Sequence, residues 1–195
     1  MDLRPIFPYK EGINQTNYYW FNGGFSSDEV DKIVNDAKDY SFVKGLILDE
    51  QNTDKYRKSN LKWLPFDSKW EWVIDRIMSQ VIEANDAIWN FDLKSIIDNI
   101  QYTEYDGDGG HYDWHLDIGP GTISHRKISI VVQLSEPSDY IGGDLQLKTG
   151  NEDVTIPRGK GNVAIFPSFL LHRVVPLTSG NRKSLVLWVG GDHYK

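Results

Sequence analysis

After Asn90 the chain is written in short apolar segments broken by Gly, Pro, Asn and Ser: SIIDNIQYTEY, RKISIVVQLS, GGDLQLKTG, GKGNVAIFPS, LHRVVPL and RKSLVLWVGG. Segments of this length, rich in β-branched residues and bounded by turn formers, predict strands. In RKISIVVQLS, Ile128, Ile130, Val132 and Leu134 alternate with Ser129, Val131 and Gln133. Residues two apart on a strand share a face, so one face is expected to be core. Many short strands at regular spacing predict a sandwich or a rolled-up barrel.

The first third reads differently. In FSSDEVDKIVNDAKDY, Ser26 and Glu29 have the spacing of a capping box, and Val30, Ile33, Val34 and Ala37 follow helical periodicity. In DSKWEWVIDRIMSQVIEANDAIW, Ser68 and Glu71 predict a second capping box. Trp70, Val73, Ile74, Ile77, Val81, Ala84 and Ile88 form one apolar stripe there. The expectation is a mainly β protein with helices packed outside the barrel. Helical support spans about residues 26–90 and the β core about 96–192, in one domain, 1–195.

Composition narrows the function. A formal net charge of −7 argues against a broad nucleic-acid surface. There is no cysteine, which removes disulfides, thiolate metal sites and a cysteine nucleophile. The opening MDLRPIFPYKEG has neither a basic start nor an apolar stretch, and no apolar run is long enough to cross a bilayer. A soluble, cytoplasmic protein with no membrane partner is expected. Oligomeric state is not readable from the sequence.

The stretch HYDWHLDIG holds His115 and Asp117, two residues apart. On a strand, imidazole and carboxylate would converge on one point, where a divalent metal could sit. His172, in the apolar segment AIFPSFLLHRVVPL, is either a satisfied core histidine or a third ligand. Two histidines and one carboxylate form the facial triad of non-haem Fe(II) oxygenases. Arg182, in GNRKSLVLW, is either a surface residue at the start of a strand or a fork for a carboxylate. Ser184, facing the same way, would add a hydroxyl. His111, His125 and His193 lack ligand spacing and are expected to be solvated. YDGDGGH lacks the calcium-loop pattern and reads as a flexible loop at the cleft edge.

His115-x-Asp117, His172 and Arg182-x-Ser184, in that order, resemble the Fe(II)- and 2-oxoglutarate-dependent dioxygenases, and most closely their prolyl 4-hydroxylase-like branch. YDGDGGHYDWHLD, LSEPSDYIGGDLQL, the FPS before His172, SLVLW and YRKSNLKWL add to the likeness, which covers about residues 25 to 192. The resemblance implies a double-stranded β-helix, or jelly-roll, with iron at its mouth. It also implies His115, Asp117 and His172 as ligands, with no catalytic side chain needed beyond the metal centre. Arg182 would pair with the distal carboxylate of 2-oxoglutarate, helped by Tyr105 and Ser184.

The same likeness makes Arg57, Ser59 and Trp63 candidates at the substrate entrance, with a polar loop as the plain alternative. Tyr112, Trp114 and Trp188 are cleft or packing residues. Gln133 departs from relatives that carry a tyrosine there to help hold 2-oxoglutarate. The cofactors implied are Fe(II), 2-oxoglutarate and dioxygen, with ascorbate as reductant. The expected reaction is hydroxylation of a prolyl residue in a protein or peptide, producing succinate and CO2. The alternatives are a free amino acid or small metabolite on the same scaffold, or a non-catalytic jelly-roll that binds metal or ligand. Nucleic acid is not expected as a partner.

Overall fold

The structure is a computed structural model describing residues 17–45, 53–150 and 152–193. Strand β1 (Tyr19–Phe21) precedes helix α1 (Ser27–Asp36). Its capping box forms as expected: Ser26 Oγ accepts from Glu29 N at 3.2 Å, and Glu29 Oε2 accepts from Ser26 N at 2.8 Å. Strand β2 (Val43–Lys44), the single turn α2 (Thr53–Tyr56), and strands β3 (Arg57–Lys58) and β4 (Asn60–Leu64) lead to helix α3 (Glu71–Ala84).

Helix α3 starts differently from the sequence reading. Its N-cap is Trp70, with no side-chain cap, and Ser68 does not close a box with Glu71. A turn held by Asp67 precedes it, with Asp67 Oδ1 accepting from Lys69 N and the Asp67 carbonyl accepting from Trp70 N. Trp70 is fully buried and its indole N–H donates to Tyr40 Oη at 3.0 Å. Burying that ring fixes where the helix begins, and tertiary packing overrides the local cap signal. A π turn, Asn85–Trp89, ends at Asn90, which takes a left-handed φ of 52°.

The β region follows as β5 (Ser95–Asp106), β6 (His111–His115), β7 (Arg126–Gln133), β8 (Tyr140–Ile141), β9 (Leu145–Lys148), β10 (Asp153–Thr155), β11 (Val163–Pro167), β12 (His172–Val174) and β13 (Ser179–Gly190). One antiparallel sheet runs β1-β11-β7-β13-β5-β4-β2, with β8 on β13; the other runs β10-β9-β12-β6-β3. The fold is mainly β: two sheets form a double-stranded β-helix core, with the two N-terminal helices α1 and α3 against the larger sheet.

Ile128, Ile130 and Val132 of β7 pack with Val30, Ile33, Trp70, Val73 and Ile77 of the helical layer. The opposite face of β7 is buried as well: Ser129 and Gln133 are at most 2% exposed, because the smaller sheet covers them. That second buried face, polar where a core would be apolar, is where the site lies. Among the described residues no helix is long and apolar enough to cross a membrane.

Candidate metal centre and anion pocket

The site begins with a bulge. His172 on β12 stands opposite His115 on β6, while Val174 stands opposite Tyr112, so β6 carries one residue more than its partner between these pairs. An inserted residue reverses the alternation of side chains beyond it. Tyr112 and His115, three residues apart, therefore both line the same cavity, and their rings stack at 3.4 Å. Trp114 is turned outward and lies between Arg173 (4.5 Å) and Lys148 (5.2 Å). It does not line the cavity, so of the two readings for Trp114, cleft or packing, the cleft one is not seen.

Asp117 follows β6, with its N–H donating to the Ser168 carbonyl at 2.9 Å. Its carboxylate lies 3.7 Å from His115 Nε2 and 3.4 Å from His172 Nε2. The three donor atoms lie within 4.8 Å of one another. Each imidazole has its other nitrogen on a backbone carbonyl: His115 Nδ1 on Asp113 at 2.7 Å, His172 Nδ1 on Leu170 at 2.8 Å. A carbonyl only accepts, so the Nδ1 atoms carry the protons and the neutral rings offer Nε2 lone pairs to a metal.

Burial and the neighbouring His172 push the His115 imidazole down to about 3, so it stays neutral. Burial alone would lower His172 and raise Asp117. Their mutual attraction outweighs it, holding His172 above and Asp117 below their ordinary values. Two imidazoles, one carboxylate and no thiolate suit Fe(II), and the donor set fits that ion.

The cavity, of about 400 Å³, extends from these ligands to Arg182. Arg182 is 1% exposed; its Nη2 donates to Gln133 Oε1 at 2.9 Å, while Nε and Nη1 are buried without a partner. A buried guanidinium with two idle nitrogens is costly unless an anion meets it. Ser184 lines the cavity beside it, and Tyr105 presents its ring 5.5 Å from the guanidinium carbon. The residues present fit a dicarboxylate.

Of the other residues singled out in the sequence, Arg57, Trp63 and Trp188 line the cavity. Ser59 does not; it stands behind Arg57 and accepts from its Nε at 2.9 Å. The YDGDGGH segment is a fastened turn rather than a loose loop. Gly110 N donates to Asp106 O, Gly109 N to Leu177 O, and a side chain on Gly107 would strike the Ser179 backbone at 2.5 Å. Of the histidines expected in solvent, His193 is exposed, whereas His111 and His125 are half-buried, with Nδ1 against the Gly109 carbonyl at 2.8 Å and the Gly191 carbonyl at 3.0 Å respectively.

Three further residues matter that sequence reasoning did not assign. Ser129 donates to Asp117, Gln133 takes one N–H of Arg182, and Arg126 lies 3.7 Å over the Trp188 ring, ion-paired with Asp98. Arg126 opens the apolar segment RKISIVVQLS just as Arg182 opens RKSLVLWVGG, which was the available signal.

Residues 100–190 match the family described as the 2OG-Fe(II) oxygenase superfamily, a span that contains His115, Asp117 and His172 together with Arg182 and Ser184. The match places the triad within a 2OG-Fe(II) oxygenase region, and a His-Asp-His triad there implies Fe(II) and 2-oxoglutarate. The chain is 31% identical over 133 residues to a PKHD-type hydroxylase of Prochlorococcus marinus (strain NATL2A), covering 68% of this chain and 59% of that protein. The chain spans about half the length of the curated relatives it matches.

Two solved structures share the fold. A prolyl hydroxylase from Trichoplax adhaerens, in complex with a hypoxia inducible factor oxygen degradation domain peptide fragment, superposes with a TM-score of 0.74 at 20% identity, covering 89% of this chain and 83% of that one. A Pseudomonas putida prolyl-4-hydroxylase gives 0.71 at 17% identity, covering 90% and 93%.

Proposed function

We propose that this protein is a dioxygenase that hydroxylates a prolyl residue of a protein or peptide, and that residues 1–195 act as one domain. The reading rests on one observation: the His115, Asp117 and His172 donors and the unpaired Arg182 line a single cavity. By this reading His115, Asp117 and His172 hold Fe(II), and Arg182, with Tyr105 and Ser184, receives the distal carboxylate of 2-oxoglutarate. Ascorbate serves as auxiliary reductant. Bound iron and 2-oxoglutarate supply the oxidising chemistry: dioxygen and 2-oxoglutarate yield succinate and CO2, and one oxygen atom enters a substrate C–H bond.

The protein's own residues orient and shield. Ser129 and Arg126 fix Asp117 from its side-chain and backbone oxygens. Val131, Leu145 and Val186 keep the cavity wall apolar between the two polar ends. Arg57, Trp63 and Trp188 are positioned to meet the substrate, with Tyr112 against His115. A prolyl substrate is supported by the resemblance of YRKSNLKWL to the entrance segment of prolyl hydroxylases. In the structure this segment crosses from β3 in the smaller sheet to β4 in the larger one.

Purified protein, given Fe(II), labelled 2-oxoglutarate and air, is expected to release labelled succinate and add one oxygen atom to a proline-containing peptide, read by mass spectrometry. Succinate without any hydroxylated peptide, but with a hydroxylated amino acid or metabolite, moves the substrate to small molecules. No succinate under any condition favours a jelly-roll that only binds metal, a reading that leaves Arg182 without a task.

A further inference from the structure

The cavity wall carries a second guanidinium that the proposed chemistry leaves without a counter-charge. Arg57 on β3 is 6% exposed. Its Nε donates to Ser59 Oγ at 2.9 Å, and its guanidinium carbon lies 4.5 Å from the centre of the Tyr112 ring. A side chain at Gly45 would come within 2.7 Å of that Nε and 2.4 Å of Ser59 Oγ, so a glycine there leaves the room the pair occupies. These contacts fix the guanidinium, yet none brings a negative charge. Its Nη2 is buried with no hydrogen-bond partner, and among the described residues no carboxylate pairs with it.

The other buried charges of the cavity are matched. Arg126 has Asp98. The charges of Fe(II) and Arg182 together would be balanced by dianionic 2-oxoglutarate and Asp117. Arg57 is then a buried cation waiting for an anion, and a buried guanidinium held in one plane is suited to a carboxylate. Its place decides which molecule brings that anion. Tyr112, on which Arg57 lies, stacks in turn on His115 at 3.4 Å, so a single aromatic ring separates Arg57 from the metal centre. A group held there belongs to the molecule being oxidised.

We propose that Arg57 binds a carboxylate of the substrate, so that the protein selects a proline with an acidic group beside it. This rests on the dioxygenase reading and narrows its substrate class. The carboxylate has two sources: an Asp or Glu side chain next to the proline, or the terminal carboxylate of a C-terminal or free proline.

Matched probes separate these. One pair of short peptides carries Glu or Gln beside the proline; a second ends in proline as the acid or as its amide. Binding is measured by calorimetry on protein loaded with Fe(II) and 2-oxoglutarate under argon, so no turnover is needed. In at least one pair the carboxylate member is expected to bind between about tenfold and a hundredfold more tightly, the range of a charge-assisted hydrogen bond. Which pair responds identifies the source.

The preference should collapse in Arg57→Gln and survive in part in Arg57→Lys. If Arg57→Gln does not fold, Ser59→Ala, which releases Nε, is expected to shrink the preference instead. Equal binding within both pairs, absence of binding by every peptide, or a preference undiminished in the folded variants overturns the proposal. Succinate release by the wild-type protein without peptide tests the dioxygenase reading separately, so either can fail alone.

Discussion

The hydroxyl of Ser129 donates a 2.6 Å hydrogen bond to Oδ2 of Asp117. Its single proton is thereby spent, so the 2.9 Å contact between Ser129 and Ser168 has Ser168 as donor. The carboxylate is held from behind by a two-hydroxyl relay spanning β7 and the residue that follows β11. Ser129→Ala removes the holding donor while leaving all three metal-binding side chains. Outer hydrogen bonds of this kind are worth about 10–100-fold in metal affinity. Titration with Fe(II) or Co(II) is expected to show a loss of that order, and an unchanged affinity would deny Ser129 the role.

Arg182 should be costly to lose only when the cosubstrate is present. Breaking a buried charge pair costs about 3–5 kcal/mol, which weakens binding by roughly two to three decades. Arg182→Met is therefore expected to lower 2-oxoglutarate affinity on that scale in calorimetry. The same variant without ligand should melt close to wild type, because deleting the unpartnered Nε and Nη1 offsets the lost hydrogen bond from Nη2 to Gln133. A cosubstrate affinity equal to wild type rejects the assignment.

Metal affinity should fall as the solution is acidified. A metal takes only the unprotonated imidazole. Asp117 holds His172 above its ordinary value of 6.5, so the proton competes from a pH above 6.5 downward, earlier than for a free imidazole. His115, pushed down to about 3 by burial and by His172, adds no competition until far lower pH. Proton release on metal binding, measured in buffers of different ionisation enthalpy, should accompany the decline. An affinity that stays flat between about pH 8 and about pH 6 contradicts this account of His172.

Trp70 and Ser68 offer a paired stability test. Trp70 is completely buried against the larger sheet, and truncating such a side chain costs about 3–5 kcal/mol. Trp70→Ala should lose stability on that scale in urea unfolding. Ser68 caps nothing, so Ser68→Ala should stay within about 0.5 kcal/mol. A loss of about 1 kcal/mol at Ser68 would restore the capping box that the sequence suggests.

The alternation in β7 and the capping box of α1 are local properties, so the sequence alone determined a mainly β core with helical support, and the order of His115, Asp117, His172 and Arg182 carried the resemblance that implied a β-helix with a metal and anion site. Pairing partners and strand register are not local. One extra residue in β6 turns Tyr112 to the same side as His115 and sends Trp114 outward, and nothing within HYDWH signals it. The roles of Ser129, Gln133 and Arg126 likewise appear only when β7 is laid against β13, β11 and the Asp117 loop. The start of α3 was decided by the burial of Trp70 against a sheet formed much later in the chain. Side-chain direction reverses with each residue of register, so only the assembled sheets decide which side chains meet.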